Sequence, residues 1–335
     1  MWQILNKTLF LAERTFLREI NGAEKWIVSV KCTFMIDNNG FNKIAKEQVE
    51  INHTPVYSVK AGHSSLLYDS DFVLNKPNSD IILNAHAYSP IGIPQKKVDV
   101  FIKVGNLKKG LTVYGDRYWK KTSLGIKMSE PEPFIKMPII YERAFGGFDK
   151  KSKDSEFPTM YRQNPVGTGF AEIKKNVIGK RLPNIEYPSE TISNWNDKPI
   201  PAGYSAIASN WGTRLKYAGT YDSKWKKERY PLLPLDFDYR FYQCAPEDQQ
   251  TREYLNGGEL VELFNLTPNG YLSFKLPDAG KWLSFFTEFD TESVEHKANL
   301  HTVIIEPDYP RVIMVWSTSI ICHNKDHLLK RTIVE

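Results

Sequence analysis

The chain has 335 residues, of which 41% are hydrophobic and 25% are charged, as in an ordinary soluble globular protein. Its formal net charge is only +5, and its Lys and Arg residues are scattered, which argues against a nucleic-acid-binding face. No apolar run approaches the roughly 20 residues of a membrane helix, so we expect no membrane partner.

The cysteine pattern and the N-terminal segment indicate in which cellular compartment the protein is located. Cys32, Cys244 and Cys322 are odd in number and far apart, which argues against a disulfide framework and is compatible with a reducing cytosol. The opening segment does not resemble a signal peptide, because Glu13 and Arg14 interrupt its apolar run. We therefore predict a cytoplasmic protein.

The first third of the chain predicts strands. Residues 26–36 alternate between apolar and polar positions, and residues 38–40 form a turn before a return strand near 43–51. Residues 79–88 are a second apolar run. Residues 98–114 predict a hairpin, because two alternating segments flank a glycine-containing turn.

The middle third, residues 137–259, is dense in aromatic residues, Gly, Pro and Asp. It is too often interrupted to be one regular element, and too rich in aromatic residues to be a disordered linker. We expect an ordered irregular layer on a scaffold, or a binding surface. Two short helices are predicted inside it, one capped by Asp222 over residues 223–227 and ended by Pro231, and one that begins at residues 245–250.

The last third predicts strands again, at residues 272–276, 301–306 and 311–317, with a turn at 307–310 between the last two. We therefore predict a mainly β fold: an antiparallel, sandwich-like scaffold built from both ends of the chain, with a long irregular Gly/Pro/aromatic middle layer and a few short helices.

For domain organisation, we interpret residues 1–335 as a single family unit. Within it we distinguish an N-terminal β region at 1–120, an irregular motif-rich region at 121–259 and a C-terminal β region at 260–335.

A search for catalytic motifs finds no nucleophile elbow, phosphate-binding loop, zinc-protease helix or paired-cysteine motif. Asp236 and Asp238, with aromatic neighbours, are the best carboxylate cluster and would suit a carbohydrate-active enzyme. Arg229 and Arg240 lie nearby, so structural ion pairs are the alternative that we favour.

The histidines give no strong site. His86 could act as a general base, although a structural, hydrogen-bonded role is more usual for such a residue. His323 and His327 have helical spacing beside Cys322, which would be half a zinc site, but no second ligand pair has matching spacing. We predict no metal site and no cofactor.

A partner-binding surface can be predicted only from residue types. Aromatic residues and Arg dominate the energetics of interfaces, although the protein core competes for the same aromatic residues. Alternatively, residues of the segment 141–147 fill the core and pair with each other. Our candidates for partner binding are Arg143, Phe145, Trp211, Tyr221 and Trp225.

Several short motifs occur in a fixed order along most of the chain. They are His86-Ala87, Gly115-Asp116-Arg117-x-Trp119, Met137-Pro138, Tyr141-Glu142-Arg143-Ala144-Phe145-Gly146-Gly147, Asn164-Pro165-Val166-Gly167-x-Gly169-Phe170, Leu182-Pro183-Asn184-x-Glu186, Pro201-Ala202-Gly203, Trp211, Arg214, Ala218-Gly219-Thr220-Tyr221-Asp222, Trp225, Pro231-Leu232-Leu233-Pro234, Asp236-Phe237-Asp238, Arg240-Phe241, Ala245-Pro246-x-Asp248-Gln249, Gly257-Gly258-Glu259 and Ile305-Glu306-Pro307-Asp308.

With these motifs the chain resembles the bacterial domain of unknown function family 2169, whose genes lie beside those of the type VI secretion spike proteins VgrG and PAAR and their effectors. The resemblance implies a cytoplasmic adaptor or chaperone, not an enzyme. Its partner would be a PAAR- or VgrG-linked effector that it helps to load onto the VgrG spike. No catalytic residue set, cofactor or small-molecule substrate follows from the resemblance. The alternatives are a carbohydrate-active or effector-modifying enzyme with an Asp236/Asp238 cleft, and a component of the secreted particle itself.

Overall fold

The computed structural model describes residues 2–149, 158–290, 292–323 and 325–335, and within them the fold is mainly β, as predicted. The N-terminal strands are β1 (Gln3–Asn6), β2 (Leu11–Arg18), β3 (Glu24–Ile36), β4 (Asn42–Ile44), β5 (Val56–Tyr57), β6 (Leu66–Tyr68), β7 (Asp80–Leu83), β8 (His86–Tyr88), β9 (Lys97–Val104), β10 (Leu107–Tyr114) and β11 (Trp119–Thr122).

The middle of the chain has short elements, as its frequent Gly and Pro residues dictate. Its strands and α-helices are β12 (Gly125–Met128), β13 (Lys136–Pro138), β14 (Phe145–Gly146), β15 (Phe148–Asp149), β16 (Thr159–Met160), β17 (Thr168–Gly169), β18 (Ile185–Glu186), α1 (Gly212–Leu215) and α2 (Ser223–Glu228).

Longer strands return at the C-terminal end. They are β19 (Leu260–Phe264), β20 (Tyr271–Lys275), β21 (Phe285–Phe289), β22 (Ser293–His296), β23 (Asn299–Glu306), β24 (Arg311–Ile321) and β25 (Leu329–Val334). The 3₁₀ turns of the described chain are Pro90–Gly92, Tyr141–Arg143, Lys174–Asn176, Tyr239–Tyr242, Glu247–Gln249, Ala279–Trp282 and Asp326–Leu328.

The largest sheet combines both ends of the chain, as predicted. Its strand order is β2-β3-β24-β23-β7, with β4 added beside β3, and every pair is antiparallel except β23 with β7. A five-stranded antiparallel sheet has the order β18-β10-β9-β19-β20. A four-stranded sheet, β1-β25-β21-β22, completes the scaffold.

One hydrophobic core lies between these sheets. Val28 and Val30 of β3 share it with Val100 and Ile102 of β9 and with Phe285 of β21. The period-two alternation of β3 and β9 explains this, because successive side chains of a strand point to opposite faces. The sandwich-like interpretation is therefore confirmed.

The irregular middle segment covers the other face of the largest sheet. Ile304 and Ile313 of that face pack with Tyr141, Ala206 and Trp211 in a second cluster. Residues 50–74 cover the polar side of β3, which is therefore buried as well. Lys31 lies in this covered face, where its Nζ is 2.9 Å from an Asp71 carboxylate oxygen and 2.8 Å from the Glu50 carbonyl.

Two predicted elements are shorter in the structure. The return strand after residues 38–40 spans only Asn42–Ile44, because beyond Ala45 the side chain of Gln48, rather than the backbone, hydrogen-bonds the Thr33 N–H and carbonyl of β3. The second predicted helix is the single 3₁₀ turn Glu247–Gln249. Gln249 donates from its side-chain amide to the Ile81 and Tyr204 carbonyls, so the turn is held by tertiary contacts. No helix in the described part of the chain is long and apolar enough to cross a membrane.

His296 of β22 provides a test of this packing. Its ring nitrogens lie 2.8 Å from Thr287 Oγ1 and 2.6 Å from Thr318 Oγ1, and burial lowers its pKa to about 4. In the unfolded chain His296 would take up a proton near pH 6.5. The stability that the neutral residue supports is therefore complete above pH 6.5 and is lost as the pH falls toward 4.

We expect wild-type protein to lose about 2 kcal/mol more unfolding free energy between pH 7 and pH 4.5 than His296→Gln, which cannot titrate. Urea unfolding at both pH values measures the difference. Parallel losses in the two proteins would contradict the buried, neutral histidine.

Candidate functional site

The charged residues of the motifs hold the irregular middle layer together. Arg143 donates from Nη1 to Asp116 Oδ1 at 3.2 Å and to Asn184 Oδ1 at 3.1 Å, and Asn184 Nδ2 donates to the same Asp116 oxygen at 2.9 Å. Partial burial would raise the pKa of Asp116, but the Asn184 hydrogen bond and the charges of Arg181 and Arg143 outweigh it and lower the pKa. Arg143 Nη1 is thus engaged by two internal partners.

A second motif pair is almost completely buried. Arg117 donates to the Glu186 carboxylate and to the Pro183 carbonyl, and its guanidinium lies 3.9 Å from the centroid of the Tyr114 ring. Burial raises the pKa of Glu186 even though the Arg117 charge opposes this. The other Glu186 oxygen accepts from the Ile192 N–H at 3.1 Å.

The glycines at 146 and 147 serve close backbone packing. Gly146 has φ of +152°, and a Cβ placed there would lie 2.2 Å from the Asn164 carbonyl oxygen. Asn164 donates from Nδ2 to the carbonyls of Tyr141 and Phe145, which fixes the turn from inside. Glu142 accepts from the Ser65 backbone N–H at 2.7 Å. This segment is therefore tied to the scaffold by its own polar groups.

Two of the predicted partner-binding residues lie in the core. Phe145 is 4% exposed and packs edge-to-face on Tyr161 at 5.1 Å. Trp211 is 2% exposed and packs edge-to-face on Tyr141 at 5.2 Å. Because both rings fill internal clusters, the folded protein does not present either of them to a partner. Arg143 is partly exposed but is held by the network described above.

The other two, Tyr221 and Trp225, lie together at the surface. Their ring centroids are 4.7 Å apart, and Tyr230 packs edge-to-face on Trp225 at 5.8 Å. Tyr221 is 52% exposed and Tyr230 is 70% exposed. We call these three residues, with the exposed Leu235, the aromatic lobe.

Local sequence shapes the lobe. Asp222 caps α2 as predicted, since its carboxylate accepts from the Trp225 N–H at 2.7 Å. Trp225 Nε1 donates to the Leu232 carbonyl at 2.9 Å, which closes the segment on itself. Arg229 donates to the carbonyls of Leu233 and Ile20, so the lobe is fastened to the hairpin of β2 and β3.

The lobe has a basic side. Lys224, Lys226 and Lys227 of α2 are exposed, and none of them forms an ion pair with the described acidic residues. Positive charge at the surface favours association with an acidic partner, and the effect is strongest at low salt.

The two carboxylates of the enzyme alternative have separate partners. Asp236 accepts from the Thr220 N–H at 3.0 Å and from its hydroxyl at 2.7 Å, which lowers the pKa of Asp236. Asp238 accepts from Arg240 Nε at 2.9 Å and Nη2 at 2.5 Å, and these bonds lower its pKa. A glycosidase acid needs a raised pKa, so both shifts run against that role.

The two histidine candidates lie in different elements, one in the C-terminal turn near Cys322 and the other, His86, in β8. Cys322 is buried beside the exposed C-terminal turn that carries His327. Within the described ranges, no group of three His, Cys, Asp or Glu residues is arranged to hold a metal ion. His86 lies 2.9 Å from Asp308 at the mouth of a cavity.

Sequence reasoning missed Tyr88, Lys136 and Tyr230. Tyr88 and Lys136 join the His86 cluster because β8 pairs with β13, with Tyr88 directly opposite Lys136. The sequence indicated only that Tyr88, two residues after His86 in a strand, has its side chain on the same face as His86. Tyr230 follows a capped helix and precedes Pro231, so the sequence predicts that it lies in a turn, where side chains are commonly exposed.

Comparison with protein-family models gives one finding, over residues 21–317. No match to the chain was found among curated proteins or among solved structures. The matched range includes the motifs described above and most of the two largest sheets. The chain therefore belongs to the family described as "Uncharacterized protein conserved in bacteria (DUF2169)".

Proposed function

We propose that this protein is a non-enzymatic adaptor that binds a type VI secretion effector, linked to a PAAR or VgrG protein, and assists its loading onto the VgrG spike. The resemblance of the motifs suggests this class of partner. The observation that carries the proposal is the aromatic lobe, where the exposed rings of Tyr221 and Tyr230 pack on the half-buried Trp225 of a basic helix.

The lobe has the composition of a protein-binding surface. Trp and Tyr are enriched among the residues that dominate interface energetics, since they bury much area and lose little conformational entropy. Tyr221 and Trp225 already support each other's orientation, so little ordering is needed on binding. The lysines of α2 select for an acidic surface on the effector.

The enzyme alternative has less support. Asp236 and Asp238 are each engaged by a neighbouring side chain, and the hydrogen bonds keep both as carboxylates. The cytoplasmic location is part of the proposal, because an adaptor acts before the spike is fired.

We expect Trp225→Ala to weaken effector binding about 30-fold or more, as truncation of a central interface tryptophan does. Trp282→Ala is the control for loss of a tryptophan outside the lobe, and Tyr221→Ala removes a ring of the lobe that is 52% exposed. Each variant would be supplied to a strain that lacks this protein. Quantitative mass spectrometry of cells and culture supernatant then measures effector stability and secretion.

The proposal predicts that Trp282→Ala restores the secreted effector and Trp225→Ala does not. Tyr221→Ala serves as a second lobe variant, and circular dichroism checks that each protein is folded. Unchanged effector levels in the strain without this protein would contradict the adaptor role. Recovery of this protein itself in the supernatant beside VgrG would favour a component of the secreted particle.

A further inference from the structure

A second feature of the molecule lies away from the aromatic lobe. Strands β8 and β13, the turn at 307–309 and the loop beside β6 enclose an open cavity of about 540 Å³. Its walls are largely apolar, and four polar side chains meet at one end, namely His86, Tyr88, Lys136 and Asp308. A mainly apolar cavity with a few convergent polar groups is the usual form of a ligand site.

Asp308 organises this cluster. Its carboxylate accepts from the Tyr88 hydroxyl, lies 2.9 Å from His86 Nδ1 and lies 3.1 Å from Lys136 Nζ. Partial burial would raise the pKa of Asp308, but the hydrogen bonds from His86, Tyr88 and Lys136 outweigh it and lower the pKa well below its usual range. Asp308 is therefore a carboxylate that accepts from all three neighbours.

The position of Asp308 is fixed from behind. Glu306, two residues earlier, accepts from the Tyr68 hydroxyl at 2.6 Å, from Asn84 Nδ2 at 3.1 Å and from Arg311 Nε at 2.6 Å. Glu306 ends β23 and Arg311 begins β24, so their ion pair closes the turn that carries Asp308. The cluster is thus preorganised by a buried support.

This arrangement defines what the cluster offers to a ligand. Because the Asp308 carboxylate can only accept, His86 Nδ1 carries a proton, and in the neutral tautomer the lone pair of the ring is on Nε2. His86 Nε2 has no hydrogen-bond partner among the described residues. Lys136 is half-exposed and retains N–H groups beyond the one directed at Asp308. The site therefore offers one acceptor and one donor side by side.

With His86 in its neutral tautomer, the charges of the cluster balance. The Lys136 ammonium and the Asp308 carboxylate are adjacent, so a free anion or cation gains from one and is opposed by the other. A neutral group with its own donor and acceptor fits better. A peptide residue, with its backbone N–H and C=O, is such a group, and the partly exposed Leu67, Pro138 and Ile140 supply the apolar wall for its side chain.

We propose that this cavity binds an extended peptide segment, with the N–H and C=O of one residue directed at His86 and Lys136 and its aliphatic side chain against the apolar wall. In an extended chain these two groups of one residue point to the same side, so the N–H donates to His86 Nε2 and the C=O accepts from Lys136 Nζ. This site is independent of the aromatic lobe, so its test and the adaptor test can fail separately.

Three probes distinguish the chemistry. N-acetyl-leucine methylamide is neutral, N-acetyl-leucine is an anion and leucine methylamide is a cation, while all three carry the same side chain. Titration of full-length protein with labelled histidine, followed by NMR, reports on His86 Nε2 directly. We expect the neutral probe to bind most tightly and to shift the His86 resonance.

His86→Phe removes the acceptor and keeps a ring, and Lys136→Met removes the donor and keeps the aliphatic stem. We expect each to weaken the neutral probe about fivefold, the usual effect of one hydrogen bond. Lys96→Met removes an exposed lysine elsewhere and should leave binding unchanged. If either His86→Phe or Lys136→Met fails to fold, the other variant still tests the proposal. No binding of the neutral probe, tighter binding of a charged probe, or unchanged binding in the folded variants would overturn the proposal.

Discussion

Trp211→Ala is expected to lower the free energy of unfolding by about 3–5 kcal/mol, the range for removal of a large buried aromatic side chain. Trp211 packs on Tyr141 and belongs to the cluster that includes Ile304 and Ile313 of the largest sheet. Its loss leaves a cavity between the irregular layer and the sheet. Urea unfolding followed by circular dichroism measures the change.

The control for this variant is Trp282→Ala, where an exposed ring is removed and the expected change is within about 0.5 kcal/mol. A loss below about 1 kcal/mol for Trp211→Ala would contradict the packing of the middle layer on the sheet. Reduced partner binding by Trp211→Ala would then report on folding, whereas reduced binding by Tyr221→Ala, which removes a ring that is 52% exposed, would report on the surface.

Arg117→Met is expected to cost about 3–5 kcal/mol of unfolding free energy at neutral pH, because it leaves the Glu186 carboxylate buried without its cation. The Pro183 carbonyl loses a donor as well. Burial already raises the pKa of Glu186, so in the variant this residue should bind a proton more readily. The destabilisation should therefore shrink as the pH is lowered toward 5.

Two comparisons isolate the buried charge in Arg117→Met. Lys7→Met breaks an exposed pair with Glu335 and should change stability by no more than about 1 kcal/mol. The double variant Arg117→Met/Glu186→Leu replaces both charges by apolar groups and should recover much of the loss. If the double variant were as unstable as the single one, packing rather than charge would explain the effect.

Local patterns in the sequence predicted much of the fold. The alternation of β3, the turn at 307–310 and the Asp222 cap each depend on residues close together in the chain. Such features follow from backbone preferences and side-chain period alone. The structure confirms the prediction that both chain ends form one scaffold. That prediction was possible because the strong strand signals of the sequence lie in its first and last thirds.

Burial in the middle segment was harder to predict. Trp211 and Trp225 are both tryptophans in irregular sequence, yet Trp211 is in the core and Trp225 is only half-buried. Which of them is covered depends on packing against distant strands, and no local pattern encodes it. The same holds for Lys136 and Asp308, which are far apart in sequence and meet only because β8 and β13 pair near the end of β23.

The most direct test of the adaptor account is co-purification of the tagged protein from its native cells, with bound proteins identified by mass spectrometry. The account predicts an effector linked to a PAAR or VgrG protein, recovered in near-equal amount with wild type and with Trp282→Ala, and lost with Trp225→Ala. Recovery of no specific partner by well-folded wild-type protein, or equal recovery by the folded Trp225→Ala variant, would contradict it.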